Sequence, residues 1–474
     1  MPVKRVLAAA VVVTILAAAL AGCGRPIPTT QTGSTTPTTA PATSPSARSG
    51  TSATPPPSAS PSPSARTPSP VLLPAPPGGP PNAAKVSARV NRTRVKDALG
   101  GYSAAVVDVS SGATLFRHQA ERARIPASTL KLVTGAAALS ALGPDHIFRT
   151  TVVSPRAGEI VLVGGGDPYL TAKPVAGTFP RRASVTELAK STAAALAKSK
   201  TKTVRLGYDA RLFAGPAWNA EWPRAYRDQV TSVSALWVDE GRVAGRSTGP
   251  RAKDPARDAA TAFAVALRKN GVRVTGLTST RAPRGAGEIA AVSSAPLERA
   301  VEQMLMVSDN DAAEVLFRHV ALAAGRPGST AEAVRAVRAE LTELGVWTDG
   351  GRIRDGSGLA RENILPATTL VKLLRLAAAE ERPELRAVVT GLPVAGVEGS
   401  LRIRFGDDAS LAGRGVVRGK TGTLREVHTL AGLIRTRDGS VLVYAFLINR
   451  PKNAYNARVW LDRVTAALST CGCR

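Results

Sequence analysis

The chain has 474 residues, and 62 Lys and Arg against 35 Asp and Glu leave a net charge of +27. Its length is more than one ordinary core fills, and with 44% hydrophobic residues most of it can fold. The charge favours polyanions in general, but aromatics are only 4% and no nucleic-acid module is present, so nucleic acid is not an expected partner.

The N-terminus carries Lys4 and Arg5, then an apolar run from Val6 to Ala21. That run is too short for a membrane-spanning helix and fits the apolar part of a signal peptide. It ends in Leu20-Ala21-Gly22-Cys23, which resembles a bacterial lipobox. Residues 1–23 are therefore expected to be a signal peptide with a lipobox, cleaved before Cys23, which would carry lipid. The expected location is the cell envelope, on the outer side of the cytoplasmic membrane. Residues 24–84 are rich in Pro, Ser, Thr and Gly and lack the apolar residues a core needs, so they read as a disordered tether.

The folded part should begin with a helix from Ala83 to Leu99. A hairpin follows, Ala104–Val109 and Ala113–Phe116 around Ser110-Ser111-Gly112. A helix runs from Pro126 to about Leu142, with Gly143 just past its end. Strands follow, including Glu159–Val163. Ser184-Val-Thr-Glu187 is a capping box opening a helix to about Lys198. Pro255 opens another helix, ending at Asn270-Gly271. Leu297, Val301, Met304 and Leu305 keep helical spacing, and a further helix spans Asp311–Ala324. After Gly391 the pattern turns to strand: Gly415–Lys420, Thr429–Ile434 and Ser440–Ile448. A helix from Tyr455 to Leu468 closes the chain. Terminal helices beside a β-meander indicate an α+β fold.

Three short motifs carry the chemistry. In Ser128-Thr129-Leu130-Lys131, Ser and Lys three apart share one helix face, so the amine can reach the hydroxyl. Ser128 sits in the first turn, where free backbone N–H groups suit a developing oxyanion. A second copy, Ser199-Lys200-Thr201-Lys202, lies in a polar stretch after a helix and reads as meaningless. Ser308-Asp309-Asn310 lies between two predicted helices. Its hydroxyl and amide can relay a proton and hold a carbonyl, though Ser308 or Asn310 could equally be a helix cap. Lys420-Thr421-Gly422-Thr423 lies at the end of a predicted strand. Lys and Thr suit a carboxylate, and Gly422 removes bulk where the strand approaches the nucleophile.

Other short signals carry less. Gly245-Arg-Ser-Thr-Gly249 matches a nucleophile elbow, but Pro250 prevents a following helix. Gly415–Thr421 is one residue short of a phosphate-binding loop. The histidines His118, His146, His319 and His428 show no ligand spacing and are read as surface or core residues. Asp167 is read as a turn residue. No metal and no cofactor are expected. Cys471 and Cys473 are either a short-loop disulfide or two free thiols, and the body of the chain has no other cysteine after Cys23.

S-x-x-K, S-x-N and K-T-G in that order resemble the signature of β-lactamases and penicillin-binding proteins. Roughly 180 residues separate Ser128 from Ser308. This long insertion resembles the class C low-molecular-mass penicillin-binding proteins, the D-alanyl-D-alanine carboxypeptidase/endopeptidase family. Gly164-Gly-Gly-Asp-Pro168, Asp355-Gly-Ser-Gly-Leu359 and Gly396-Val-Glu-Gly-Ser-Leu401 also look like that family, and the likeness covers about residues 85–470.

The resemblance implies a penicillin-binding/β-lactamase-like transpeptidase fold: an antiparallel sheet flanked by helices, an all-helical region and one inserted α/β domain. The expected division is catalytic domain 85–150 and 283–474, with the insertion at 151–282. Ser128 would attack the penultimate D-Ala of peptidoglycan stem peptides, with Lys131 as base. Lys420 and partial burial would lower the Lys131 pKa. Ser308 would protonate the leaving D-Ala, Asn310 would position substrate, and Lys420, Thr421 and Thr423 would hold its carboxylate. The backbone N–H groups of Ser128 and Thr423 would form the oxyanion hole, and β-lactam antibiotics would inhibit. The alternatives are a β-lactamase, opposed by the long insertion and the lack of an obvious deacylating Glu loop, and a catalytically idle envelope protein, opposed by the intact motifs.

Overall fold

The computed structural model describes residues 80–243 and 248–474. The expected signal peptide, the lipobox Cys23 and nearly all of the tether lie outside these residues, as does the centre of the Gly245–Gly249 motif. No helix among the described residues is long and apolar enough to cross a membrane.

The chain opens with α1 (Ala83–Arg92), capped by the Asn82 side chain. This helix ends at Arg92, seven residues short of the expected end at Leu99. Thr93 turns extended, Asp97 adopts φ 57°, and the Thr93 carbonyl accepts from the Trp460 indole. Packing against the C-terminal helix therefore overrides the local helical pattern. Strands β1 (Gly101–Asp108) and β2 (Thr114–His118) form the expected hairpin. A 3₁₀ turn at Ala127–Leu130 then leads into α2 (Lys131–Leu142), which ends on Gly143 at φ 82°.

A second sheet follows in the chain. It holds β3 (Arg149–Arg156), β4 (Glu159–Val163), β5 (Thr203–Asp209), β6 (Arg273–Ser279) and β7 (Gly287–Ser293), in the order β6-β5-β4-β3-β7. Pairs β4–β5 and β5–β6 are parallel and the other two antiparallel. Helices α3 (Val185–Lys198) and α4 (Pro255–Lys269) cover it. The capping box predicted at Ser184 and Glu187 forms in both directions.

The helical region comprises α5 (Leu297–Val307), α6 (Asn310–Ala323), α7 (Thr330–Glu343), α8 (Ala367–Ala377) and α9 (Arg386–Thr390). The chain then returns to the first sheet through β8 (Val417–Leu424), β9 (Val427–Arg435) and β10 (Val441–Asn449), and ends in α10 (Ala454–Ser469). The sheet order is β2-β1-β10-β9-β8, antiparallel throughout.

Strand β10 is the spine. Every residue of it is buried, and period-two alternation splits them between two cores. Val443, Ala445 and Leu447 pack under α2, α5, α6 and α8. Leu442, Tyr444, Phe446 and Ile448 pack against α1 and α10. A small fourth core joins Trp222, Val230, Val233 and Trp237 to Val315 of α6 and to Leu359 and Ala360. It fastens the loop after β5 to the helical region, directly beside the motifs. Cys471 and Cys473 are joined as a disulfide and are buried.

Candidate active site

The turn that presents Ser128 is held from three sides. The Asn449 side chain pairs with both the N–H and the carbonyl of Ile125, at 2.9 and 3.2 Å. The Pro126 carbonyl accepts from the hydroxyls of Thr129 (2.7 Å) and Thr429 (2.8 Å). Ala127 then takes φ 48°, a left-handed conformation that costs a residue with a Cβ about 1–2 kcal/mol. Ser128 is thereby raised in a 3₁₀ turn rather than an α turn. In a 3₁₀ helix residues i and i+3 eclipse, which brings Lys131 directly under Ser128.

Lys131 is fully buried. Its Nζ donates to Ser128 Oγ (3.0 Å), Asn310 Oδ1 (2.7 Å) and the Ser357 carbonyl (2.7 Å). Burial lowers its pKa to about 8, against the opposing pull of Asp355, Asp309, Glu314 and Asp311. This corrects the expected cause: burial is complete rather than partial, and it is the Lys420 amine that carries the mark of the neighbouring cation. Lys420 is also fully buried, and desolvation together with the charge of Lys131 holds its pKa well below the ordinary value of 10.5.

Ser308 ends α5 in a left-handed conformation, φ 60° and ψ 43°. Neither Ser308 nor Asn310 caps a helix N-terminus. Asp309 does so, its carboxylate accepting from the Ala312 N–H at 3.0 Å. Asn310 directs its carbonyl oxygen to Lys131 and its NH₂ to the Gln229 carbonyl (3.0 Å). In this arrangement it orients the lysine.

Lys420, Thr421, Gly422 and Thr423 all lie within β8, the edge strand, which runs past the expected end at Lys420. The strand runs on because β9 pairs with it as far as Leu424. A Cβ on Gly422 would collide with Thr429 Oγ1, approach the Pro126 carbonyl to 2.6 Å and the Ser128 nitrogen to 3.1 Å. Gly422 is what lets this strand touch the Ser128 turn. The Lys420 Nζ donates to the Thr421 carbonyl (2.9 Å), and the Thr421 hydroxyl bonds Ser400 (2.9 Å) of the Gly396–Leu401 stretch. On its outer side β8 pairs with residues 393–395 through the Val417 carbonyl and the Gly419 N–H. Strand periodicity points the N–H groups of Thr421 and Thr423 the same way, beyond that cover. That stretch of edge can accept an extended peptide.

Sequence reasoning assigned no role to several residues that build the site. Asp355-Gly-Ser-Gly-Leu359 stands out in the sequence only through its family resemblance. Its turn supplies the Ser357 carbonyl to Lys131 and the Gly356 carbonyl to Thr134 (2.6 Å). Glu314 of α6 accepts the Gly356 and Ser357 N–H groups, at 3.0 and 2.7 Å, and burial lifts its pKa to about 8. Gly358 sits at φ 85°, where a Cβ would collide with the Ala127 carbonyl and lie 3.1 Å from the Ser128 nitrogen. Gly358→Ala should therefore lower the thermal midpoint, as differential scanning calorimetry will show. In Gly164–Pro168, the Gly166 carbonyl meets His319 Nε2 at 2.9 Å, and Trp237 Nε1 donates to the Asp167 carbonyl. His319 is a core residue with its pKa lowered to about 4 by burial, and Asp167 is buried in the turn. The second S-x-x-K, at Ser199, caps the end of α3.

An antiparallel sheet with a helical region carrying S-x-x-K, S-x-N and K-T-G around one lysine defines the class: a low-molecular-mass penicillin-binding protein. The chain belongs to the D-Ala-D-Ala carboxypeptidase 3 (S13) family, which matches residues 83–252 and 242–468. A carboxypeptidase of Mycobacterium tuberculosis is 34% identical over 403 residues, covering 83% of this chain and 85% of that protein. Carboxypeptidase DacB of Mycolicibacterium smegmatis is 36% identical over 384 residues, covering 79% and 82%. The crystal structure of penicillin binding protein 4 from Haemophilus influenzae superposes with a TM-score of 0.67 at 20% identity, over 82% of this chain and 98% of that one, and shares the fold. The protein is a serine-type D-Ala-D-Ala carboxypeptidase.

Proposed function

We propose that Ser128 is the nucleophile and that the chain trims the terminal D-Ala from peptidoglycan stem peptides. The observation that carries this reading is the 3.0 Å contact between Ser128 Oγ and the buried Lys131 amine, itself held by Asn310 and the 355–359 turn. The stem peptide adds to the open edge of β8 and places its terminal carboxylate at Lys420, Thr421 and Thr423. Lys131 takes the Ser128 proton as the Oγ–C bond forms at the penultimate D-Ala carbonyl. The N–H groups of Ser128 and Thr423 receive the oxyanion. Ser308 passes a proton to the departing D-Ala nitrogen as its C–N bond breaks, and water then releases the acyl group. β-Lactams acylate the same serine.

The two sheets support division into a catalytic domain (85–150 and 283–474) and an insertion (151–282). The envelope location and lipid anchor at Cys23 belong to the same reading, since peptidoglycan lies outside the cytoplasmic membrane. Purified protein should label with fluorescent penicillin and release D-Ala from a stem pentapeptide. Ser128→Ala should do neither, and labelling that survives in that variant overturns the assignment. Digestion of defined muropeptides will show whether cross-links are cleaved as well.

A further inference from the structure

The loop between β5 and α4 straps the head of α6. The Gln229 carbonyl accepts from Asn310, and the Thr231 N–H donates to Asp311 Oδ1 at 2.7 Å. The Thr231 hydroxyl ties the strap to itself through the Glu240 carbonyl (2.7 Å). Asp239 and Glu240 both adopt left-handed backbone conformations, at φ 52° and 58°. This delivers the Glu240 carboxyl to Asp309 and Asp311, so three buried carboxyls lie together, their oxygens within 4.8 Å of one another.

A guanidinium fills the cluster. Arg242 contacts Glu240 Oε2 (2.5 Å), Asp309 Oδ2 (2.8 Å) and Asp311 Oδ2 (3.3 Å), and Arg251 reaches Asp311 at 3.5 Å. Two or three acids confined this closely cannot share a dry site without a cation between them. Accordingly Glu240 is pushed well above the ordinary carboxyl pKa by burial and by Asp309, while Arg242 helps hold Asp309 ionised. Tyr169 and Arg182 complete the charged and titratable surroundings of Asp309 and Glu240.

Resting on the reading that Ser128 and Lys131 are the reacting pair, we propose that Arg242 is a positioning residue for acylation. Its guanidinium locks Asp309, and with it the turn that sets the Asn310 oxygen against Lys131. The chain of contact is direct: Arg242 to Asp309, Asp309 capping α6 at Ala312, Asn310 opening that helix, and Asn310 Oδ1 at 2.7 Å from Lys131 Nζ. A strap from between the second sheet's strands thus sets the geometry of the serine site. It also sets its charge. Asp309 and Asp311 are two of the four carboxyls that pull the Lys131 pKa upward, with Asp355 and Glu314, while the Lys420 amine lies across the site. Arg242 offsets the first two.

The test is the rate of penicillin acylation of the purified full chain against pH, for wild type, Arg242→Ala, Arg242→Lys and Leu461→Ala. The last opens a cavity under α10 and serves as the stability control. In Arg242→Ala the plateau rate should fall about ten- to hundred-fold, as for a misplaced catalytic group, and the acid limb should move to higher pH. Arg242→Lys should return the limb towards wild type, because it restores the charge, without restoring the full rate, because an ammonium lacks the bridging fork. A wild-type rate and limb in Arg242→Ala overturns the proposal. So does a rate loss with an unmoved limb that Leu461→Ala matches at equal loss of thermal midpoint. If Arg242→Ala does not fold, a wild-type rate in Arg242→Lys overturns it. Failure of the wild type to label at Ser128 would instead sink the underlying assignment.

Discussion

Lys131→Ala should reduce acylation of Ser128 by about a thousand-fold while leaving the fold assembled, measured as the second-order rate of penicillin labelling. On the proposed assignment, the substitution removes the group that accepts the serine proton. It also strips Asn310 and the Ser357 carbonyl of their shared donor, so some stability should go with it. In the wild type the rate should rise through a pH near 8, where Lys131 loses its proton. The stability consequence has a definite sign. The folded-state pKa of about 8 lies below the ordinary 10.5, so between these values the unfolded chain holds a proton that the folded chain lacks. Stability from this group should therefore rise with pH across that window, and its penalty is fully present below it.

On the proposed assignment, the two buried lysines act as a pair. Lys131 has three hydrogen-bond acceptors, while desolvation and the charge of Lys131 hold Lys420 well below its ordinary value. A substrate carboxylate at Lys420 would favour the ammonium form there. That charge would in turn oppose protonation of Lys131. Lys420→Met should consequently weaken D-Ala-D-Ala substrates more than it weakens an analogue with an amidated terminus, a comparison of kcat/KM values.

Asp355→Ala should be the most destabilising single change near the site, by about 3–5 kcal/mol in chemical denaturation. The carboxylate is fully buried and accepts from the Trp222 indole (2.8 Å), the Gly358 N–H (2.8 Å), the Ala360 N–H (2.6 Å) and the Asn363 amide (2.8 Å). Its loss leaves four donors in a dry interior. Activity should fall with it, because the same turn supplies the Ser357 carbonyl to Lys131. Asp355→Asn retains acceptor capacity and the shape, and should recover part of the stability without all of the hydrogen bonds.

Local signals in the sequence carried much of the fold. The capping box at Ser184, the Pro255 helix start and the Gly143 stop are interactions within a few residues, so the chain encodes them directly. The three motifs were legible because their order and spacing are properties of the chain. What tertiary structure alone decided lies at long separation. Thr93 ends a helix the pattern would continue because Trp460, remote in sequence, takes its carbonyl. Asn310 turns towards Lys131, and Lys420 feels Lys131, only because α6, α2 and β8 converge. Asp355, Glu314 and Arg242 looked like any other charged residues. Burial converted them into hydrogen-bond and charge anchors, since a charge that is cheap in water must find its partners once it is enclosed.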